Sequence, residues 1–248
     1  MRFPPLPPIV KNLLIINVII TLAMIVAPSL EASLNRLCAL HYFSSPGFNP
    51  AQLVTYMFLH ANLTHLFFNM FALVMFGGII ERAMGSARFL TYYLSCGIMA
   101  ALIQMGVYAA MLSHYQTLVS PEDYQHIINE GWNVIQSGMN FVDPTAGTIN
   151  ALVNGSMVGA SGAIYGVILA FGMLFPNQPL YLFFIPVPIK AKWMVIGYGL
   201  LELASGLSTV TSSTDNVAHF AHLGGMIAGV ILILYWKKKG VFNNRWFF

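Results

Sequence analysis

The chain has 248 residues, of which 57% are hydrophobic and 8% charged, with a formal net charge of +3; soluble domains carry about a quarter charged residues. That balance puts one membrane domain over residues 1–248 and excludes an ordinary soluble fold. The cations are scattered over connections, with one short run at Lys237, Lys238 and Lys239, and read as topology signals, with no nucleic-acid partner expected.

Leu13 to Ala27 is apolar, follows Arg2 and Lys11 and ends at Pro28, which predicts a first membrane helix over about 12–28. A signal peptide is the rival reading, but no clean small-residue cleavage site follows, which favours a membrane span. Residues 29–54 form a polar and aromatic connection, long enough for short helices lying at the interface. Of the two cysteines, Cys38 falls in this connection and Cys96 in an apolar span, settings that predict reduced, structural thiols.

A second span over about 53–80 contains His65 and Asn69, four apart and so on one helix face. Polar groups in a bilayer are expensive and usually face the bundle interior. Taken alone, the pair fits interhelical hydrogen bonding as well as donors for a developing oxyanion. His60, at the outer end, reads as a tie between the first connection and the helix. Glu81 and Arg82 read as a solvated turn before a third span over about 89–112. The long outer loop of about 113–158 follows, with no Lys or Arg between His114 and Asn154. Within it, Ser120-Pro121-Glu122-Asp123 has the N-cap, N1 proline and first-turn acids of a helix start, which predicts a short amphipathic helix over about Pro121–Gly138 on the outer surface.

The fourth span, about 161–175 before Pro176, reaches only about 22 Å against a hydrocarbon thickness near 30 Å. It cannot cross unaided, so the loop before Ser161 must dip into the bilayer and admit water. A proline-broken cationic stretch, Ile185 to Lys192, leads to a fifth span over about 193–207. Asp215 then reads as an N-cap before a sixth span over about 217–236. Sorting Lys and Arg by loop leaves only Arg36 on one side, which predicts both termini in the cytoplasm and, in bacterial terms, an inner-membrane protein whose site opens to the periplasm.

The chemistry concentrates in Gly159-Ala160-Ser161-Gly162-Ala163-Ile164-Tyr165-Gly166. Gly162 and Gly166 are four apart, the small-xxx-small spacing that lets membrane helices approach closely, and Gly225 and Gly229 repeat it. If the two glycine faces meet, Ser161 meets His222. The adjacent His219 invites a metal reading with His65 as third ligand. His222, on the glycine stripe, is nonetheless preferred as the base, and His219 is expected about 4.5 Å further along the axis, against loop or solvent. No metal or other cofactor is expected. The second glycine of the soluble nucleophile elbow is missing, since position 163 is alanine, and no HExxH or phosphate loop occurs.

The GASG stretch with Tyr165 four residues after its serine, Ala221-His222-x-x-Gly225-x3-Gly229, and His60-x4-His65-x3-Asn69 stand on separate hydrophobic segments. Together they resemble the rhomboid family of intramembrane serine proteases. The resemblance implies an all-α, six-helix membrane bundle that cleaves single-span membrane proteins within the lipid bilayer. It makes Ser161 the nucleophile and His222 the base, with His65, Asn69 and the Ser161 backbone N–H as oxyanion donors and Tyr165 stacked on His222. A Ser–His dyad is expected without an acid, because Asp215, seven residues from His222, is about 10 Å away along a helix. The Trp-Arg pair that family members often carry in the first loop is absent here. A polar-lined transporter and a non-proteolytic, rhomboid-like binding module are the rival readings; neither a glycine-flanked serine at a helix start nor the presence of both Ser161 and His222 follows from them.

Overall fold

A computed structural model describes residues 5–181, 187–212 and 218–242 of the chain; Asp215 lies outside the described residues. Helix α1, Pro8–Val26, and helix α2, Pro28–Cys38, each begin at a proline, whose missing N–H costs nothing at N1. A short strand β1, Leu40–His41, precedes α3, Gln52–Thr55, and a 3₁₀ turn, Tyr56–Phe58. Helix α4, Leu63–Ala72, runs through a π turn, Leu73–Gly77, into α5, Gly78–Met84. Then come α6, Ser86–Tyr115, α7, Pro121–Gln136, α8, Pro144–Asn154, and strand β2, Ser156–Met157. The chain continues with α9, Ser161–Leu174, a hairpin of β3, Pro179–Leu180, with β4, Ile189–Lys190, then α10, Ala191–Ser212, and α11, His219–Lys238.

Four helices among the described residues are long and apolar enough to cross a membrane: Pro8–Val26, Leu63–Met84, Ser86–Leu118 and His219–Lys238. With the shorter α9 and with α10 they make a six-helix bundle. Its outer faces are apolar, with Ile19 and Leu22 of α1, Phe67 and Phe68 of α4 and Leu200 and Leu201 of α10 all exposed, as sides turned to lipid must be. The second span begins at Leu63 and not near 53. Asn62 stops the chain there, accepting from the His65 backbone N–H at 2.8 Å as an N-cap.

Helices α6, α9 and α11 form the centre. A Cβ on Gly225 would stand 1.8 Å from the Gly162 carbonyl oxygen, and one on Gly166 would stand 2.5 Å from Cys96 Sγ. The small residues are therefore what allows the close approach. Gly229 makes room for the Tyr92 ring, whose hydroxyl donates to Gly166 O at 2.7 Å.

Glu81 corrects the expectation of a solvated turn. It is 2% exposed, and its two carboxylate oxygens accept from the backbone N–H groups of Ile9 and Val10 at 3.0 and 2.8 Å. A carboxylate here satisfies orphan donors at the positive end of α1. Arg82 beside it donates to Pro5 O.

The first loop is held by Gln52, whose amide donates to Gly47 O at 2.8 Å and accepts from the His41 N–H at 3.2 Å. Trp132 of α7 packs over Gly47, and Ser45 Oγ donates to Asn154 Oδ1 at 2.9 Å. The long outer loop thus sits on the first loop, and β1 pairs antiparallel with β2, Leu40 opposite Met157.

Candidate active site

The strand pair β1–β2 delivers the chain to Val158-Gly159-Ala160, just before α9. Gly159 has φ of 129°, a region closed to most side chains. A Cβ there would also meet the His65 ring at 2.7 Å. The Gly159 N–H donates to Tyr56 O at 3.0 Å, and the Tyr56 hydroxyl to Gly97 O at 2.8 Å, so the loop is tied to the 3₁₀ turn and to α6. Ser161 is the first residue of α9. Its backbone N–H belongs to the first turn, where no carbonyl of the same helix can accept it.

Helix α11 brings the histidine. Its start is pinned by Gln104 of α6, whose side-chain oxygen accepts from the Ala221 N–H at 3.0 Å. His222 Nε2 then stands 2.8 Å from Ser161 Oγ. The Tyr165 ring lies on the His222 ring with centroids 4.2 Å apart and planes within 7°. That stack fixes the plane of the imidazole.

An acid missed in the sequence also reaches this histidine. Glu202 of α10, 9% exposed, accepts a hydrogen bond from the Tyr165 hydroxyl. Its Oε2 stands 2.7 Å from His219 Nδ1 and 2.9 Å from His222 Nδ1. The contact to His222 is at ion-pair distance but off the line of the ring N–H, so it forms no straight hydrogen bond. His219, expected against loop or solvent, is instead 9% exposed and engaged with Glu202. The sequence signal was available: a lone carboxylate inside an otherwise apolar span is expensive and needs partners.

His65 and Asn69 line the same cavity as Ser161, Tyr165 and His222, with a volume of about 1110 Å³. Asn69 Nδ2 donates one hydrogen to the His65 carbonyl at 3.0 Å, which leaves the second amide hydrogen for another acceptor. His60 is buried, and its ring meets that of His65 edge-on at 5.1 Å. Phe68 and Ala72 of α4, Met75 of the π turn after it, and Met194 and Tyr198 of α10 form the apolar walls, so the cavity extends between these two helices.

A hydrogen-bonded serine and histidine at an internal cavity of a helical membrane bundle defines a class: a polytopic membrane protein carrying a hydrolase-type pair. The chain belongs to the rhomboid family, since the family model of the Rhomboid domain matches residues 48–239. It is an integral membrane protein. Among its relatives are the putative rhomboid protease YdcA of Bacillus subtilis, 29% identical over 76% of this chain, and the rhomboid protease AarA of Providencia stuartii, 30% identical over 71%. Rhomboid protein 1 of Saccharomyces cerevisiae, a mitochondrial protein, is 27% identical over 73%. The matched regions span 68%, 52% and 40% of the lengths of these three relatives.

Proposed function

We propose that this chain is an intramembrane serine endopeptidase, a single membrane unit over residues 1–248 that cleaves transmembrane segments through a Ser161–His222 dyad. The observation that carries this reading is the 2.8 Å contact of His222 Nε2 with Ser161 Oγ inside a cavity shared with His65 and Asn69. Ser161 Oγ attacks the scissile carbonyl carbon while His222 Nε2 takes its proton. The negative oxygen so formed is met by the His65 ring N–H, the second Asn69 amide hydrogen and the Ser161 backbone N–H, donors whose hydrogen bonds strengthen as the charge develops. His222 then gives its proton to the leaving amine and the acyl-enzyme forms. Water, activated by the same histidine, releases the acid product and restores Ser161.

The substrates are single-span membrane proteins. An intact helix hides its carbonyls in internal hydrogen bonds, so spans weakened by Gly, Pro or small polar residues near the outer end are preferred. The arrangement of cations supports both termini in the cytoplasm of a bacterial inner membrane, with the cavity facing outward.

The deciding experiment reconstitutes the wild type and Ser161→Ala in liposomes with a single-span substrate and treats each with a serine-reactive phosphonate. Cleavage and labelling at Ser161 are expected in the wild type alone, with the melting temperature nearly unchanged by the substitution. Wild-type cleavage rates in Ser161→Ala sink the mechanism.

A further inference from the structure

We propose that Glu202 is a positioning residue for the base: its carboxylate holds His222 in the tautomer that accepts from Ser161 and balances the charge the ring gains during attack. This rests on the protease reading above. For Nε2 to accept the Ser161 proton, the neutral ring must carry its own hydrogen on Nδ1. That hydrogen points into a buried space, where an unpartnered donor is costly. Among the described residues, Glu202 Oε2 is an oxygen within reach, at 2.9 Å.

The carboxylate itself is held from two further sides, by the Tyr165 hydroxyl and by His219 Nδ1 at 2.7 Å. Tyr165 is the residue stacked on His222, so one side chain fixes both the plane of the imidazole and the position of the acid beside it. No other account of a carboxylate in the middle of α10 is needed, because its three partners are all groups of the site. The proton balance is simple: the serine proton moves to Nε2 and later to the leaving amine, Nδ1 keeps its hydrogen, and Glu202 remains a carboxylate throughout. Oε2 lies off the line of the Nδ1–H bond at rest, so its attraction for the ring is mainly electrostatic and grows when the ring takes the serine proton and becomes a cation. Stabilisation is then larger in the transition state than at rest, which is what accelerates a reaction.

The same three residues place one ligand atom each within 4.8 Å of one another, and a divalent cation bound there would tie up Nδ1 instead. The test therefore includes metal. Purified wild-type protein, Glu202→Gln and Glu202→Asp are assayed for kcat and KM on a single-span substrate, for the rate of phosphonate labelling, and for melting temperature, with and without a chelator. Failure of the wild type to cleave or label defeats the protease reading itself, and the inference with it. With the wild type active, Glu202→Gln is expected to lower kcat and the labelling rate together by about 10²-fold, less than the 10⁴ for loss of a triad acid because Tyr165 still holds the ring, with KM nearly unchanged. Glu202→Asp, which restores the charge, is expected to recover at least a tenth of wild-type kcat. If Glu202→Gln does not fold, the Asp variant decides: kcat and labelling reduced together at wild-type melting temperature support the role. The assignment is overturned by a Gln variant keeping more than a third of wild-type kcat or raising KM alone, or by an Asp variant as impaired as a folded Gln variant or, where Gln does not fold, fully active. Chelator-sensitive wild-type activity restored by zinc overturns it as well.

Discussion

The centre of the bundle and the two walls of its cavity pack differently, although both turn apolar side chains outward, Ile227 and Ile231 of α11 among them. In the centre, α6, α9 and α11 meet through glycines and alanines so closely that a Cβ on Gly225 would enter the Gly162 carbonyl. The walls, α4 and α10, turn large apolar side chains outward, with Phe67 and Phe68 57% and 58% exposed and Leu200 and Leu201 62% and 64% exposed. Ser161 and His222 stand on the tight elements. The side chains proposed to meet the oxyanion, His65 and Asn69, and the Glu202 carboxylate reach in from the walls. The difference teaches that the 2.8 Å Ser161–His222 contact is a consequence of backbone packing, whereas His65, Asn69 and Glu202 are delivered to the cavity by single side chains from the walls.

The largest effect is expected where the centre is broken. Gly225→Ala sets a methyl group against the backbone of Gly162, with no flexible side chain on the other side to yield. Overpacking of this kind costs about 1–3 kcal/mol, and separating α9 from α11 also pulls Ser161 from His222. A fall in melting temperature together with loss of phosphonate labelling is the expected result; a stable, labelled Gly225→Ala protein shows that the glycine contact does not set the Ser–His distance.

A wall substitution on the oxyanion side is expected to spare stability and lower turnover. Asn69→Ala removes a donor from the cavity but no buried packing of comparable size. One such donor is worth about 10²–10³ in kcat, so kcat falls and KM changes little. If the change appears in KM alone, Asn69 binds substrate and does not meet the oxyanion.

The same contrast decides what the sequence made legible. The pairing of Ser161 with His222 was read from local spacing, Gly162 to Gly166 and Gly225 to Gly229, and their roles from the family resemblance; close helix packing is encoded by just such local patterns of small residues. The start of α7 was equally local, with Ser120 as N-cap accepting from the Asp123 N–H at 3.1 Å. Glu202 and Glu81 were harder because each does its work on a distant part of the chain: Glu202 twenty positions before His222 on another helix, Glu81 at the first turn of α1. Asp215 drew attention as the acid nearest to His222 in sequence, a measure that says little between helices. The β1–β2 pair was not foreseen, because a two-residue strand has no periodicity to read; helix α8 was missed although Asp143 as N-cap and Pro144 at N1 mark its start.

The smallest effect is expected on the outer face of α10, and it tests whether that helix matters only through Glu202. Leu200 stands two residues before Glu202, and since each helical residue turns about 100°, the two side chains leave the helix on nearly opposite sides. Leu200 is 62% exposed and Glu202 9%, so one faces lipid and the other the site. Leu200→Ala removes no core contact and trades one good helix former for another; surface changes of this kind fall within about 0.5 kcal/mol. Melting temperature and phosphonate labelling should therefore match the wild type, and cleavage of a single-span substrate should stay within about twofold. Unchanged labelling with a strong drop in cleavage would locate substrate docking on this outward face, because the small probe needs only the Ser–His pair while a transmembrane helix must also find the cavity between α4 and α10. Loss of both would mean that the lipid-facing surface of α10 controls where Glu202 sits, and the division between a fixed centre and independent walls would fail.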